Sequence, residues 1–320
     1  MTASEADPRS RAHAGRVRFA TFNVLHGRPM RDGRPVAVPA GCGPEAPLVR
    51  AVASLDADVL ALQELDRLQE RSGRVDQARA AAVGAEAPYW RYASAFHARA
   101  PADGHAPEPD EPGLRVYGPR ETEAGTGSRE GVPSHGIALL SRLPVRHWRA
   151  RRLAPAPVPM PLRTPGRRGL TVSWDQPRAA LAAVLDGRHG PFTVVALHLS
   201  FVPGWNVRQL LEVRAWTADL PGPQVLLGDL NLTGALPEAV LNSPARKGRT
   251  GVRRTRSDDT ALPPRRWYDL ARTPTYPAHR PLVQFDHVLA TGIAADAATS
   301  VDTPPTDVSD HRPLVVELPL

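Results

Sequence analysis

The stretch Val308-Ser309-Asp310-His311-Arg312-Pro313-Leu314-Val315-Val316 places an acid and an imidazole side by side, immediately before an apolar run. The run 314–318 predicts a buried strand, because apolar and β-branched residues are enriched in strands. Solubility requires neither Asp310 nor His311 at this point, and both side chains can bind a metal ion or move a proton. We therefore expect a functional site where this last strand begins.

Polar residues of the same kind lie at or near the ends of other predicted strands. The runs 17–22, 58–62, 192–197, 224–227 and 284–289 are rich in apolar residues and predict strands. The polar residues that belong to them or follow them are Asn23, Glu64, His198, Asp229 with Asn231, and Asp286. Strand ends at one rim of a sheet converge in space even when they are far apart in sequence. We expect all of these side chains to gather at one site.

Each of these residues also has a simpler interpretation. Asn23 is a common turn residue, and Asp229-Leu230-Asn231 is compatible with an Asx-turn, although both side chains face the same way if the chain stays extended. His198 alone is compatible with a core histidine, and we expect His287 to be one, facing away from Asp286. Glu64 is harder to explain, because a carboxylate at the end of a buried strand needs a cation or hydrogen-bond donors.

The combination favours hydrolysis of a phosphate ester. Carboxylate and amide oxygens suit Mg²⁺ or Mn²⁺ rather than zinc, and the single cysteine, Cys42, excludes a thiolate zinc cluster and an internal disulfide. Two histidines supply a base and a hydrogen-bond donor near neutral pH. A hard divalent ion, a base and amide donors are what water attack on phosphorus requires. The oxygen ligands expected from the residues are Glu64, Asp310, Asp229 and Asn231.

The chain length and its patterning predict one layered α+β domain. With 320 residues, 42% of them apolar, the chain is long enough for one large core over residues 16–320. Helical spacing of apolar residues predicts helices over 44–56 and 210–220, and two runs joined by a turn predict a hairpin over 179–199. We expect the chain to be a monomer.

Three segments are expected to lack regular structure. Residues 1–15 are polar and predict a disordered tail. Residues 101–133 are rich in proline, glycine and acids without periodicity, which predicts a disordered insertion. Residues 146–168 predict a second irregular segment, proline-rich and basic.

The net charge of +7 suggests an anionic partner, because a positive field concentrates phosphates around a protein. A basic loop over 245–256 could follow a nucleic-acid backbone, although it lacks aromatic residues for base stacking and is also compatible with a solvated loop. Its cations are Arg246, Lys247, Arg249, Arg253, Arg254 and Arg256. No apolar run is long enough for a transmembrane segment and the N-terminus lacks a signal-peptide pattern, so we expect a cytoplasmic protein.

Eight short motifs together resemble the endonuclease/exonuclease/phosphatase superfamily of DNase I-like enzymes. They occur in the family's order, and Gly-Asp-x-Asn followed by Ser-Asp-His-x-Pro is the most specific combination. The motifs are Thr21-Phe22-Asn23-Val24, Leu62-Gln63-Glu64, Gly136–Arg142, Pro177-Arg178-Ala179-Ala180, Leu197-His198-Leu199, Gly228-Asp229-Leu230-Asn231, Phe285–Leu289 and Ser309–Pro313. The resemblance implies a four-layer α/β/β/α sandwich, with two packed, mostly antiparallel sheets and outer helices.

The resemblance also implies residue roles. Glu64 would be the principal ligand of Mg²⁺ or Mn²⁺, with Asp310 and Asn23 near the ion, and His311 would be the general base, held by Asp286. The remaining residues would act on the phosphate or the water. His198 would donate to a phosphoryl oxygen, and Asp229 and Asn231 would orient the nucleophile and help to hold the ion. Arg178 would pair with the phosphate or brace the site, and Asn23 would also contact the substrate.

Three functions are compatible with these features. The first is a nuclease-like phosphodiesterase. The second is a hydrolase of phospholipids, as in sphingomyelinases, or of small phosphomonoesters; Trp205, in an apolar segment after His198, could contact lipid or a base, or pack on the following helix. The third is an anion-binding module without catalysis, which the presence of Glu64, Asp229 and His311 disfavours.

Overall fold

Two β-sheets form the centre of the molecule in the computed structural model, which describes residues 15–98, 111–119, 131–162, 169–244 and 266–320. In spatial order, the seven-stranded sheet consists of β16 (Ser300–Asp302), β17 (Leu314–Leu318), β1 (Val17–Asn23), β4 (Val59–Arg67), β7 (Ser134–Ser141), β5 (Tyr89–His97) and β6 (Glu111–Tyr117). The six-stranded sheet consists of β14 (Trp267–Asp269), β15 (Asp286–Thr291), β13 (Gln224–Asp229), β12 (Gly190–His198), β11 (Arg178–Gly187) and β8 (Val145–Leu153). Two small ribbons pair β2 (Met30–Arg31) with β3 (Arg34–Pro35), and β9 (Met160–Leu162) with β10 (Thr171–Ser173).

The helices lie outside the two sheets. They are α1 (Ala46–Leu55), α2 (Gln77–Gly84), α3 (Trp205–Trp216) and α4 (Leu236–Leu241), with single 3₁₀ turns at Leu25–Gly27 and Glu70–Ser72. Helix α1 buries Leu48, Val52 and Leu55 along one face and ends at Asp56, which adopts a left-handed conformation. Across the described ranges, no helix combines the length and apolar character that a membrane span needs.

The central core lies between the sheets. Alternate residues of a strand face the same side, so Val17 and Phe19 of β1 meet Val225 and Leu227 of β13 in one apolar cluster. The two sheets are therefore packed face to face.

Two outer cores complete the layers. Leu48 and Val52 of α1 pack with Phe22 on the outer face of the seven-stranded sheet, and α2 joins the same cluster. Leu210 and Val213 of α3 pack against the outer face of the six-stranded sheet, together with α4. The predicted four-layer α/β/β/α sandwich is confirmed.

The segment 146–168, expected to be irregular, contains parts of two strands, β8 and β9, while residues 163–168 lie outside the described residues. Residues 145–153 form β8, which pairs along β11 at the edge of the six-stranded sheet. Trp148 and Ala150 pack against the central core, whereas Arg149 and Arg151 face the helical layer and form ion pairs with Asp219 and Glu212. The alternation of core-facing and charged residues in β8 is difficult to recognise from the sequence, because the acidic partners of its arginines lie in the helical layer.

The predicted insertion 101–133 is also partly regular. Glu111–Tyr117 forms β6 and pairs antiparallel with β5, while residues 99–110 and 120–130 lie outside the described residues. The same holds for 1–14 of the predicted tail and for the basic loop, since 245–265 are not described.

Candidate active site

The inward-facing residues of several strands change from apolar to polar at one edge of the sandwich. In β1 the inward series continues from Phe19 to Asn23, and in β13 it continues from Leu227 to Asp229. Strands β1 and β4 are parallel, as are β12 and β13, and all four have their carboxyl ends at this edge. Their antiparallel neighbours β7, β11, β15 and β17 begin there.

Three side chains form a row across the six-stranded sheet. His198 lies opposite Asp229 in the register of β12 and β13, and Asp229 lies opposite Asp286 of β15. The Nε2 atom of His198 is 3.7 Å from Oδ2 of Asp229, and all three side chains are buried. The register thus explains why residues far apart in sequence meet.

Asn23 joins this row to the other sheet. Its Nδ2 donates to Oδ2 of Asp229 at 3.0 Å and to Oε1 of Glu64 at 3.1 Å, while its Oδ1 accepts from the backbone N–H of Leu25. Asn23, which is predicted to lie near the ion, therefore bridges the carboxylates of Asp229 and Glu64.

Glu64 lies at an irregularity in β4. The pairing of β4 with β7 shifts between Leu62 and Leu65, and Glu64 has a positive φ of 58°. A non-glycine residue in this region is held there by surrounding structure and is common at functional sites. Burial raises the pKa of Glu64, but the opposing effects of His198, His135 and the Asn23 hydrogen bond lower it to about 2. Glu64 is therefore a carboxylate at neutral pH.

His311 is oriented by a buried carboxylate. Its Nδ1 lies 2.8 Å from Oδ2 of Asp286, and that oxygen also accepts from the hydroxyl of Thr275 at 2.6 Å. The Ser309 hydroxyl donates to the carbonyl oxygen of Asn23 at 2.6 Å and accepts from the backbone N–H of His311. These bonds fix the segment quoted at the outset against the end of β1.

The site carries an excess of negative charge. Burial opposes protonation of His311, but Asp286 and Asp229 raise its pKa to about 10. Burial raises the pKa of Asp229 to about 6, and burial together with the charge of Glu64 raises that of Asp310. Four carboxylates at one edge, two of them with raised pKa values, form a donor set that a hard divalent cation fits.

Two groups of side chains at this edge offer metal ligands. In the part of the chain that the structure describes, Asp229, Asp286 and His311 present ligand atoms within 4.8 Å of one another. The hydrogen bond between Asp286 and His311 accounts for the closeness of that pair. Glu64 and Asp310 lie close enough for the charge of Glu64 to raise the pKa of Asp310, and Asn23 hydrogen-bonds to both Glu64 and Asp229.

Arg178 covers the buried side of His198. Its Nη1 lies 3.1 Å from Nδ1 and 3.3 Å from Nε2 of that imidazole, and Nη2 is 3.8 Å from Oδ1 of Asp175. Burial and the positive charge of Arg178 hold the pKa of His198 well below its usual range. A neutral imidazole and a guanidinium together can donate to phosphoryl oxygens.

Asn231 departs from the expected geometry. The chain is not extended after Asp229, because Asn231 has φ 49° and its backbone N–H donates to Oδ1 of Asp229 in an Asx-turn. The Asn231 amide donates to the carbonyl oxygen of Leu199 at 3.0 Å. The alternation argument for Asp229 and Asn231 therefore does not apply, although Asn231 still lies beside the site.

The structure shows the contacts of two further residues that the sequence analysis considered, His287 and Trp205. His287 is fully buried on the opposite face from Asp286, with Nδ1 2.9 Å from Asp269 and Nε2 2.9 Å from the carbonyl oxygen of Leu232. Trp205 begins α3, donates from Nε1 to the carbonyl oxygen of Ala154 and lies under the Arg208 guanidinium. His287 is therefore a core histidine, and Trp205 packs at the start of α3 while remaining partly exposed.

The sequence reasoning missed a cluster on the other side of Glu64. Buried Asp66 accepts two hydrogen bonds of 2.8 Å from Arg71, and its Oδ1 lies 2.8 Å from Nδ1 of His135. His26 lies near the same charges in a left-handed conformation, and burial and Arg71 lower its pKa to about 4. Two signals could have indicated the cluster: Asp66 is a second acid within an apolar strand, and His135 directly precedes the apolar run 136–140.

Solved structures support the fold. The chain resembles a functionally unknown conserved protein from Enterococcus faecalis V583, with TM-score 0.54 and 15% identity over 93% of this chain and 98% of that one. It also resembles the endonuclease/exonuclease/phosphatase from Bacteroides vulgatus, with TM-score 0.54 and 16% identity over 95% and 98%. A family protein from Leptotrichia buccalis C-1013-b gives TM-score 0.53 and 12% identity over 94% and 99%. At these identities the likeness concerns the fold alone.

Sequence comparison supplies the family. Among curated proteins, none matches the chain. The model of the Endonuclease/Exonuclease/phosphatase family matches residues 20–311, which include every predicted site residue. Members of this family are hydrolases of phosphate esters, among them nucleases, phosphatases and phosphodiesterases, and they generally depend on a divalent metal. The match extends over most of the chain and agrees with the four-layer fold, so the protein belongs to the Endonuclease/Exonuclease/phosphatase family.

Proposed function

We propose that the protein is an Mg²⁺- or Mn²⁺-dependent phosphodiesterase that cleaves nucleic acid by water attack on phosphorus. The observation that carries this proposal is the arrangement of His311. Asp286 engages its Nδ1, and its Nε2 lies 3.9 Å from Oδ2 of Asp229, at the same edge as Glu64. A base held at one ring nitrogen and open at the other, beside a group of carboxylates, suits activation of water.

The remaining residues have roles that follow from their positions. Glu64 and Asp310 would hold the metal ion, which when bound neutralises phosphate charge and polarises the phosphorus centre. With a divalent cation at Glu64 and Asp310, the negative charge that raises the pKa of His311 would be offset, so the neutral imidazole can take a proton from the attacking water, which Asp229 orients. Arg178 and His198 face the phosphoryl oxygens. Asn23, and Asn231 beside the Asx-turn, keep Asp229 in place.

Charge favours nucleic acid over lipid as the substrate. The net charge is +7, and Arg28, Arg71 and His26 line a cavity of about 380 Å³ that has no acidic residue in its lining. Trp205, the residue considered for lipid contact, is engaged by Ala154 and Arg208. A polyanion with phosphates beyond the cleaved bond would use such a surface.

One panel of substrates tests the proposal. The purified protein would be assayed with Mg²⁺, Mn²⁺ or EDTA against plasmid DNA, an abasic oligonucleotide, RNA, a choline phospholipid, and simple phosphate mono- and diesters. We expect metal-dependent cleavage of nucleic acid and a preference for diesters over monoesters. Turnover of phospholipid or monoesters alone would contradict the substrate class, and no turnover with any metal would contradict the enzyme.

A variant pair tests the base. His311→Ala should abolish turnover and leave the circular dichroism spectrum unchanged. His147→Ala removes an exposed imidazole on β8 and should leave turnover as it is. Full activity in the His311 variant would refute its role.

A further inference from the structure

Among the described residues, three Asp–His pairs lie within hydrogen-bond distance at Nδ1 of the histidine, and they differ in what surrounds the other ring nitrogen, Nε2. In each pair a carboxylate oxygen lies 2.8 to 2.9 Å from Nδ1 of its histidine: Asp286 with His311, Asp66 with His135, and Asp269 with His287.

In the Asp269–His287 pair, both ring nitrogens of the histidine have a hydrogen-bond partner. His287 is fully buried and its Nε2 contacts the carbonyl oxygen of Leu232. His135 instead keeps 16% of its side chain exposed, and its Nε2 has no hydrogen-bond partner among the described residues. In this respect His135 resembles His311, the residue proposed to move a proton.

The topology places His135 and His311 on opposite sides of Glu64. The neighbouring strands run in the order β17, β1, β4, β7. His311 lies just before β17, Glu64 lies in β4, and His135 is the second residue of β7, opposite Asp66 in the register. The carboxylate expected to hold the ion is thus flanked by two imidazoles.

His135 also faces the reacting region. It lines one small cavity with Arg178 and His198, the residues proposed above to contact the phosphoryl oxygens. The His135 imidazole is also one of the causes that lower the pKa of Glu64, next after that of His198, so the two side chains lie within electrostatic range of each other. Its carboxylate partner Asp66 is fixed by two hydrogen bonds from Arg71.

In-line displacement at phosphorus needs proton transfer on two opposite sides. The attacking water loses a proton as its oxygen bonds to phosphorus, and the leaving oxygen gains one as its bond to phosphorus breaks. We propose, on the basis of the phosphodiesterase function, that His135 is a further catalytic residue, which donates the proton on Nε2 to the leaving oxygen while His311 accepts the proton of water. His311 gains one proton and His135 loses one, so the number of protons and the total charge are conserved. Asp66 and Arg71 are positioning residues for His135.

The dependence of rate on the leaving group tests this role. A series of methyl aryl phosphodiesters, from 4-nitrophenyl to unsubstituted phenyl, requires progressively more help from a proton donor. His135→Gln retains a side chain that can hydrogen-bond to Asp66. This variant should turn over the nitrophenyl ester at nearly the rate of the unaltered protein. It should turn over the phenyl ester about 100-fold more slowly, which is the lower end of the range for general acid catalysis. Asp66→Asn should shift the series in the same direction by less.

Controls separate this role from a structural one. His147→Ala should leave the whole series unchanged, and circular dichroism would establish that each variant is folded. An equal loss on every ester, no loss on any, or a His135→Gln protein that does not fold while Asp66→Asn folds and acts equally on all esters would each overturn the proposal. If the unaltered protein cleaves neither nucleic acid nor any member of the series with Mg²⁺ or Mn²⁺, the phosphodiesterase function fails, and the role of His135 fails with it. If it cleaves nucleic acid alone, a His135→Gln protein that cleaves DNA as fast as the unaltered protein overturns the role of His135.

Discussion

Replacing Asp286 by asparagine is expected to lower both turnover and stability, and the same change at Asp269 separates the two effects. Asp286 is fully buried, and its Oδ2 accepts from His311 at 2.8 Å and from Thr275 at 2.6 Å. The asparagine has the same size but lacks the charge, and it can present N–H rather than oxygen to the imidazole. His311 then loses both its orientation and the stabilisation of the positive charge that forms when it accepts a proton.

The size of the effect follows from that bond. A hydrogen bond to a charged group contributes about 1.5–3 kcal/mol. Since about 1.4 kcal/mol corresponds to a tenfold change in rate, we expect kcat to fall roughly 10- to 150-fold with little change in KM. The free energy of unfolding should fall by a similar 1.5–3 kcal/mol, because the same bond supports the fold.

Asp269→Asn provides a matched control. Asp269 bonds to His287 at 2.9 Å, and His287 neighbours Asp286 on β15 but faces the outer layer. This variant should lose comparable stability and retain kcat. Steady-state kinetics with a phosphodiester and urea unfolding of both variants would check this. The reasoning is refuted if both variants lose kcat equally at full folding, or if Asp286→Asn keeps its kcat.

Three further predictions concern the metal, the strand ends and pH. Glu64→Gln should weaken Mg²⁺ binding in calorimetric titration by at least roughly 10-fold, the loss seen when groups that only support metal ligands are removed; an unchanged titration excludes Glu64 as a ligand. Gly228→Ala should destabilise the fold by more than about 1 kcal/mol in urea, because its Cβ would overlap the carbonyl oxygen of Leu197 at a φ of 153°, whereas Gly131→Ala, with open space around it and no positive φ, should cost less. Burial raises the pKa of Asp66, but bonds from Arg71 and His135 outweigh this and lower it, so its stabilisation is complete above the ordinary value of 3.8 and is lost as pH falls below it. Asp66→Asn should flatten that acid limb of the stability curve, and an unchanged slope would contradict the assignment.

The sequence was sufficient for the sheets and for most of the site because both follow from alternation. The predicted strand 314–318 agrees with β17, and the predicted hairpin agrees with the pairing of β11 and β12. Asn23 and Asp229 each continue an apolar inward series, so their convergence could be expected from the period of two alone.

What could not be predicted depends on contacts between distant segments. The irregularity at Glu64 carries Asp66 into a pair with His135, 69 residues away, and nothing local indicates that register shift. Strand β8 could not be recognised from the sequence for a similar reason, because Arg149 and Arg151 form ion pairs with acidic residues of the helical layer. In both cases charged residues are buried or half-buried by partners that only the fold supplies.

The most direct test of the account is the position of Mn²⁺ in an anomalous difference map of a manganese-soaked crystal. The account predicts a peak bonded to carboxylate oxygens of Glu64 and Asp310, with His311 close to the ion but not bonded to it. A peak bonded to Asp229, Asp286 and the His311 imidazole, with none at Glu64, would contradict it, because a metal-bound imidazole nitrogen cannot accept a proton from water.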